Sequence, residues 1–204
     1  MAATALALYG IWIILAFGVR IAIQWRRTGS TGVRGLDRDA GAAEQFAGVL
    51  FVLALVMGGA APPLALLDVL EPIAALDGSV GHVLGLVLAV GGIALTFLAQ
   101  LAMGDAWRIG VDSEERTELV TGGPFQLVRN PIYSAMVPTA LGLALLVPSA
   151  IAVLGFVALA VALELQVRLV EEPYLRRTHG DAFTDYASQV GRFVPRVGLL
   201  HGVR

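Results

Sequence analysis

Between Arg129 and Glu164 the chain reads NPIYSAMVPTALGLALLVPSAIAVLGFVALAVAL, residues 130–163, without one charged side chain. As a single helix this block would run about 51 Å at 1.5 Å per residue. A bilayer's hydrocarbon core is about 30 Å thick. Pro148-Ser149 falls near the middle of the block, and proline removes a helix donor and clashes with the preceding turn. The block therefore reads as a hairpin of two membrane helices, about 131–147 and 149–170. The second must borrow residues beyond Glu164 to cross.

Three more uncharged blocks lie upstream: Met1 to Val19, Gln45 to Leu67 and Gly78 to Gly104. Each suits one span of about 20 residues. The first has no basic stretch before it and no clear small-residue cleavage site before Arg20, so it reads as a helix of the mature chain. The expected fold is all-α: an integral membrane protein of five transmembrane helices, the last two a hairpin, followed by a C-terminal helical segment. Residues 1–104 hold the first three spans; residues 105–204 hold a loop, the hairpin and the tail.

Composition agrees. Of 204 residues, 57% are apolar and 15% charged, against about 25% charged in soluble domains; mean hydropathy is +0.77. There is no cysteine, and all 14 basic residues are Arg, which excludes thiolate chemistry, Schiff bases and lysine phosphate loops. Histidines at 82, 179 and 201 are too scattered to suggest a metal site. A net charge of −2 gives no case for nucleic acid.

The arginines orient the spans. Arg20, Arg26, Arg27, Arg34 and Arg38 follow the first; Arg108, Arg116 and Arg129 precede the fourth; Arg168, Arg176, Arg177, Arg192, Arg196 and Arg204 follow the fifth. The loop holding Asp68, Glu71 and Asp77 has none. Basic segments stay cytoplasmic, so the N-terminus is expected outside, the C-terminus inside, in a cell inner membrane. Gly81, Gly85, Gly91 and Gly92 suit close helix packing.

Two segments on the basic side carry chemistry. Gly122-Gly123-Pro124 is a turn by composition. Asn130-Pro131 starts a helix, Asn as cap and Pro as first residue. Its amides either are simply capped or hold an anion such as a carboxylate. Glu164, Arg168 and Glu172 stand at i, i+4 and i+8 and can pair along one helix face. They read either as an anchor at the membrane surface or as functional groups, since ionisable residues at membrane depth are costly. Pro173 is expected to break or redirect the helix. Gly180 reads as a helix stop, Asp181 as the next cap, and Phe183, Tyr186 and Val190 recur at helical spacing.

The pattern Leu119-Val120-Thr-Gly-Gly-Pro-Phe125, then Val128-Arg-Asn-Pro-Ile-Tyr133, then Arg168-x-x-Glu-Glu-Pro-Tyr-Leu175, then His179-Gly-Asp-Ala-Phe183 and Arg192-Phe-Val-Pro195 resembles the isoprenylcysteine carboxyl methyltransferase family. That family is related to phospholipid N-methyltransferases. The resemblance covers about residues 117–196. It implies S-adenosyl-L-methionine in a cytoplasmic pocket roofed by the tail, S-adenosyl-L-homocysteine as product, and a lipid or prenylated acceptor arriving from the membrane. By position it implies cofactor contacts at Leu119, Val120, Phe125, Asn130, Pro131, Tyr133 and Glu172, and it implies that Arg168 faces an acceptor carboxylate. The family often has His-Pro where this chain has Asn130-Pro131, and Tyr where it has Phe125.

A sulfonium donor carries its own leaving group, so the protein need only align acceptor and methyl. A carboxylate acceptor is ionised at neutral pH and needs a cation, which Arg168 supplies. On this reading Glu172 meets the cofactor's ammonium, and the helix start at Asn130-Pro131 its carboxylate. An amine acceptor would have to lose a proton, making Glu164, Glu171 or Glu172 a candidate base. Carboxyl O-methylation leads, with headgroup N-methylation next. An NADPH enzyme resembling sterol reductases and a non-catalytic scaffold are the readings from other classes.

Overall fold

The computed structural model describes residues 1–33, 41–110 and 118–200. Arg34, Arg38, Arg116 and Arg204, used above to orient the spans, lie outside the described residues. At Pro148 the chain turns back. Helix α4 spans Pro131–Leu146 and helix α5 spans Ala150–His179. Ahead of them come α1 (Ala2–Thr28), α2 (Ala42–Leu66) and α3 (Ser79–Ala102); α6 (Asp181–Gln189) follows. No strand occurs among the described residues. Four helices, α1, α2, α3 and α5, are long and apolar enough to cross a membrane, and α4 is a shorter apolar helix. Val49, Val56, Val80, Val83, Val87 and Leu98 lie exposed along α2 and α3, as helices facing lipid require. The chain is an integral membrane helical protein.

Each arm of the hairpin packs most extensively on a helix from the first half: α4 on α3, and α5 on α2. Lipid tails are as apolar as leucine, so helices in a membrane are held by close packing. Small residues allow it here. A Cβ on Gly142 would stand 2.4 Å from the Ala89 nitrogen and 2.6 Å from the Gly85 carbonyl oxygen. One on Gly92 would stand 2.2 Å from Thr139 Oγ1. Gly85 and Gly92 thus serve the packing anticipated for them, while Gly91 faces open space and Gly81 abuts the Leu76 carbonyl. Helix α1 joins through Tyr9, whose hydroxyl donates to the Leu55 carbonyl at 2.7 Å.

Two helices run further than their charge pattern suggests. Arg20 does not end α1. Its side chain is 1% exposed, donates to the Gln100 and Gly104 carbonyls, and lies 4.5 Å from the Trp107 ring centroid. A buried cation held by carbonyls and an aromatic face can sit inside a helix. Likewise Pro173 does not end α5, which reaches His179. The six residues Gln166–Glu171 just before it form a π-helical turn. That turn moves the carbonyls out of the i−4 register, where a proline would remove a bond and clash. At 30 residues, α5 would run about 45 Å, so its last turns stand clear of a core of about 30 Å. Gly180, at φ 54°, ends α5 and also caps α6, a place expected for Asp181.

Candidate functional site

The end of α1, the start of α2, the end of α3, the start of α4 and the end of α5 meet on one side of the bundle. Gly123 takes φ 59°, a left-handed conformation that glycine adopts without strain. This lets a short 3-10 turn (Gly123–Gln126) form and turns Phe125 inward, where it is buried. The Tyr186 hydroxyl on α6 donates to the Phe125 carbonyl. Burial pushes the Tyr186 phenol up to about 12, against a smaller opposing effect of Arg129.

An ionic clasp fastens the tail. Glu172 Oε1 accepts from Arg129 at 2.7 Å and from Arg192 Nε at 2.7 Å, and Glu172 Oε2 accepts from Arg192 at 2.8 Å. All three side chains are buried. The hydrogen bonds it donates to Glu172 raise the Arg192 guanidinium above its ordinary pKa, ahead of the burial that opposes them. Arg129 also donates to the Ala187 and Gly198 carbonyls, each at 3.0 Å, and to that of Val190. Backbone bonds run alongside, from Arg129 to Gly191 at 2.8 Å and from Asn130 to Arg192 at 3.1 Å. Charge-assisted bonds of this kind fix geometry. Here they hold the tail over the start of α4 and the end of α6.

Beneath the tail lies a cavity of about 360 Å³, inside the range of about 300–1,000 Å³ usual for small-molecule sites. Leu119, Val120, Phe125, Asn130, Pro131, Tyr133, Glu171 and Glu172 all line it; Arg168 does not. Four acidic residues (Glu44, Glu118, Glu171 and Glu172) and two arginines (Arg108 and Arg129) are among those that line it. Apolar walls come from Phe17, Phe51, Ile132, Met136 and Leu163. Among the described residues no group of three or more His, Asp or Glu side chains is placed to hold a metal.

The expected ladder of Glu164, Arg168 and Glu172 divides in two. Arg168 pairs with Glu164 on the exposed side of α5, whereas Glu172 turns inward to Arg129 and Arg192. The π turn is the cause: it holds more residues per turn than an α-helix, so the i+4 spacing no longer keeps one face. The same turn brings Gln166 and Glu171 to the cavity wall together. There the Tyr133 hydroxyl donates to Glu171. Asn130 also differs from expectation. Its carboxamide does not cap α4 but donates to the Arg192 carbonyl at 3.1 Å. The first-turn amides of α4 thus have no side-chain cap beside the cavity.

Several lining residues carried no signal in the sequence. Glu44, Phe17 and Gln100 belong to the first half, outside the motifs. Arg129 and Arg192 stood within quoted motifs, but nothing local tied them to Glu172 across 43 and 20 residues.

The family model described as phospholipid methyltransferase matches residues 80–182, from α3 into α6. Among curated proteins, the nickel-cobalt-cadmium resistance protein NccN of Alcaligenes xylosoxydans xylosoxydans is 31% identical over 114 residues, covering 55% of this chain and 52% of that protein. The chain spans about half the length of that relative.

Proposed function

The chain belongs to the phospholipid methyltransferase family, and from that premise we propose that it transfers a methyl group from S-adenosyl-L-methionine to a lipid-like acceptor at the membrane surface. The observation that carries the proposal is the cavity's charge, four carboxylates against two guanidiniums, with Arg129 already held by Glu172. A net-acidic recess suits a sulfonium donor that also bears an ammonium. The uncapped first turn of α4, at Ile132 and Tyr133, suits the donor's carboxylate. When bound, the donor supplies an activated methyl on a positively charged sulfur. The chain's residues do the rest: they orient the acceptor, exclude water and manage one proton.

For the acceptor, the geometry favours an amine. An ammonium must shed a proton before it can attack, and Glu171, half-buried beside Tyr133 at the cavity wall, is a candidate to take it. Arg168, outside the cavity but exposed on α5, is placed to hold the acceptor's anionic group, a phosphate or a carboxylate. Carboxyl O-methylation is the second reading, favoured by the permanent charge of Arg168 and needing no base. In that case Arg168 must leave Glu164 and turn toward the cavity. Glu172, with both oxygens engaged, acts by fastening the tail and shaping the cavity wall. The arginine-rich segments at this end of the bundle support a cytoplasmic position for the site.

Calorimetry on the purified protein tests the proposal. S-adenosyl-L-methionine and S-adenosyl-L-homocysteine should bind at one site each per chain and compete, and NADPH should not bind. NADPH binding without donor binding would replace the proposal with a reductase. Replacing Glu171 with Gln separates the acceptors: it should stop transfer to an amine and spare transfer to a carboxylate.

A further inference from the structure

We infer that Glu44 selects a positively charged headgroup, so that the cavity takes an amphiphile with its cation at Glu44 and its chain along α2. The inference deepens the proposed function, but binding of the amphiphile can be read without the methyl donor. Glu44 lies in the first turn of α2 and lines the cavity, as do Gly48, Phe51 and Val52. These positions, at i, i+4, i+7 and i+8, form one stripe of the helix. The stripe starts with a carboxylate and turns wholly apolar as α2 enters the membrane. Phe17 and Met136 line the same cavity from α1 and α4.

The other carboxylates facing the cavity differ. Glu171 takes the Tyr133 hydroxyl, Glu172 takes two guanidiniums, and Glu118 is exposed. Among the described residues no hydrogen bond or ion pair reaches the Glu44 carboxylate, although the residue is half-buried. An acidic residue in a first turn complements the helix dipole. That effect does not account for its side, because Ala42, Ala43 and Gln45 in the same turn are exposed and offered an outward position. A half-buried carboxylate at the head of an apolar stripe is completed by a cation that carries a hydrocarbon chain.

Photolabelling of the full chain in phosphatidylcholine vesicles tests this. One probe is a diazirine-bearing alkyltrimethylammonium, and the other is the neutral alkyl alcohol of the same length. In the wild-type protein the cationic probe should label the α2 stripe, as read by mass spectrometry. Glu44→Gln should lower that labelling about tenfold, the scale of one partly screened ion pair. Labelling by the alcohol should be unchanged, and Glu44→Asp should keep the cationic preference. Equal labelling of wild type and Glu44→Gln by the cation would overturn the inference. So would a parallel loss with the alcohol, or a loss in Glu44→Asp as deep as in Glu44→Gln. Donor calorimetry on the wild-type protein reports separately: no donor binding refutes the methyltransferase reading, and the labelling pattern still decides the role of Glu44.

Discussion

Changing Glu172 to Gln removes one negative charge from between two buried guanidiniums and alters almost no volume. In the wild-type protein the carboxylate accepts three hydrogen bonds, at 2.7, 2.7 and 2.8 Å. The amide keeps one oxygen, which can still serve Arg129 and Arg192 Nε. Its NH2 group would face the other donor of Arg192, so the third bond becomes a donor–donor contact. Removing one partner of a buried ion pair costs about 3–5 kcal/mol. Arg129 retains the Ala187 and Gly198 carbonyls, which places the cost near the lower end, about 3 kcal/mol. In a chain of 204 residues, each kcal/mol moves the melting midpoint by about 2–4 °C, a fall of about 6–12 °C in all. Scanning fluorimetry in mild detergent measures the midpoint, and limited proteolysis reads release of residues 187–198. Removing the second charge as well, in Glu172→Gln with Arg192→Gln, should cost less than the sum of the single changes, because the two groups share the interaction. A midpoint shift under about 2 °C, or strictly additive losses, would show that the clasp does not hold the tail.

Three further outcomes are expected. Arg168→Ala should abolish transfer while donor affinity, measured by calorimetry, stays within about twofold, since the residue lies outside the cavity; unimpaired turnover would remove Arg168 from acceptor binding. Gly142→Leu should cost more than about 3 kcal/mol or prevent folding, because backbone on α3 blocks the new side chain. Gly91→Leu, with nothing within 4 Å of its Cβ position, should melt like wild type. The Tyr186 phenol rises from 10.0 to about 12 on folding, so the folded state holds its proton more tightly. That contribution to stability is full below pH 10 and is lost as pH climbs toward 12. Tyr186→Phe should flatten this part of the stability–pH curve, and an unchanged slope would refute the assignment.

The spans were legible because membrane helices announce themselves locally. A run of uncharged residues needs no knowledge of its neighbours, and the turn at Pro148 follows from proline's missing amide. The turn Gly122-Gly123-Pro124 and the helix start at Pro131 were legible for the same reason. The family could be approached from ordered motifs between residues 117 and 196, which hold their meaning whatever packs around them. Face assignments were not legible where the helix changed its period. Glu164, Arg168 and Glu172 share a face only while 3.6 residues make a turn, and the π turn at Gln166–Glu171 depends on packing that no spacing rule contains.

By its sequence alone the chain determined that it enters a membrane, where its charges collect, and which short motifs lie at that end, since hydropathy and turn chemistry act over a few residues. Only the tertiary structure decided that Glu172 belongs to Arg129 and Arg192, that Arg168 looks outward, and that Glu44 faces the cavity it shares with Glu171. Those arrangements depend on contacts between residues tens of positions apart. They are set by which helices can approach closely enough to pack, and here that is controlled by glycines on α3 and α4 and by one change of helical period in α5.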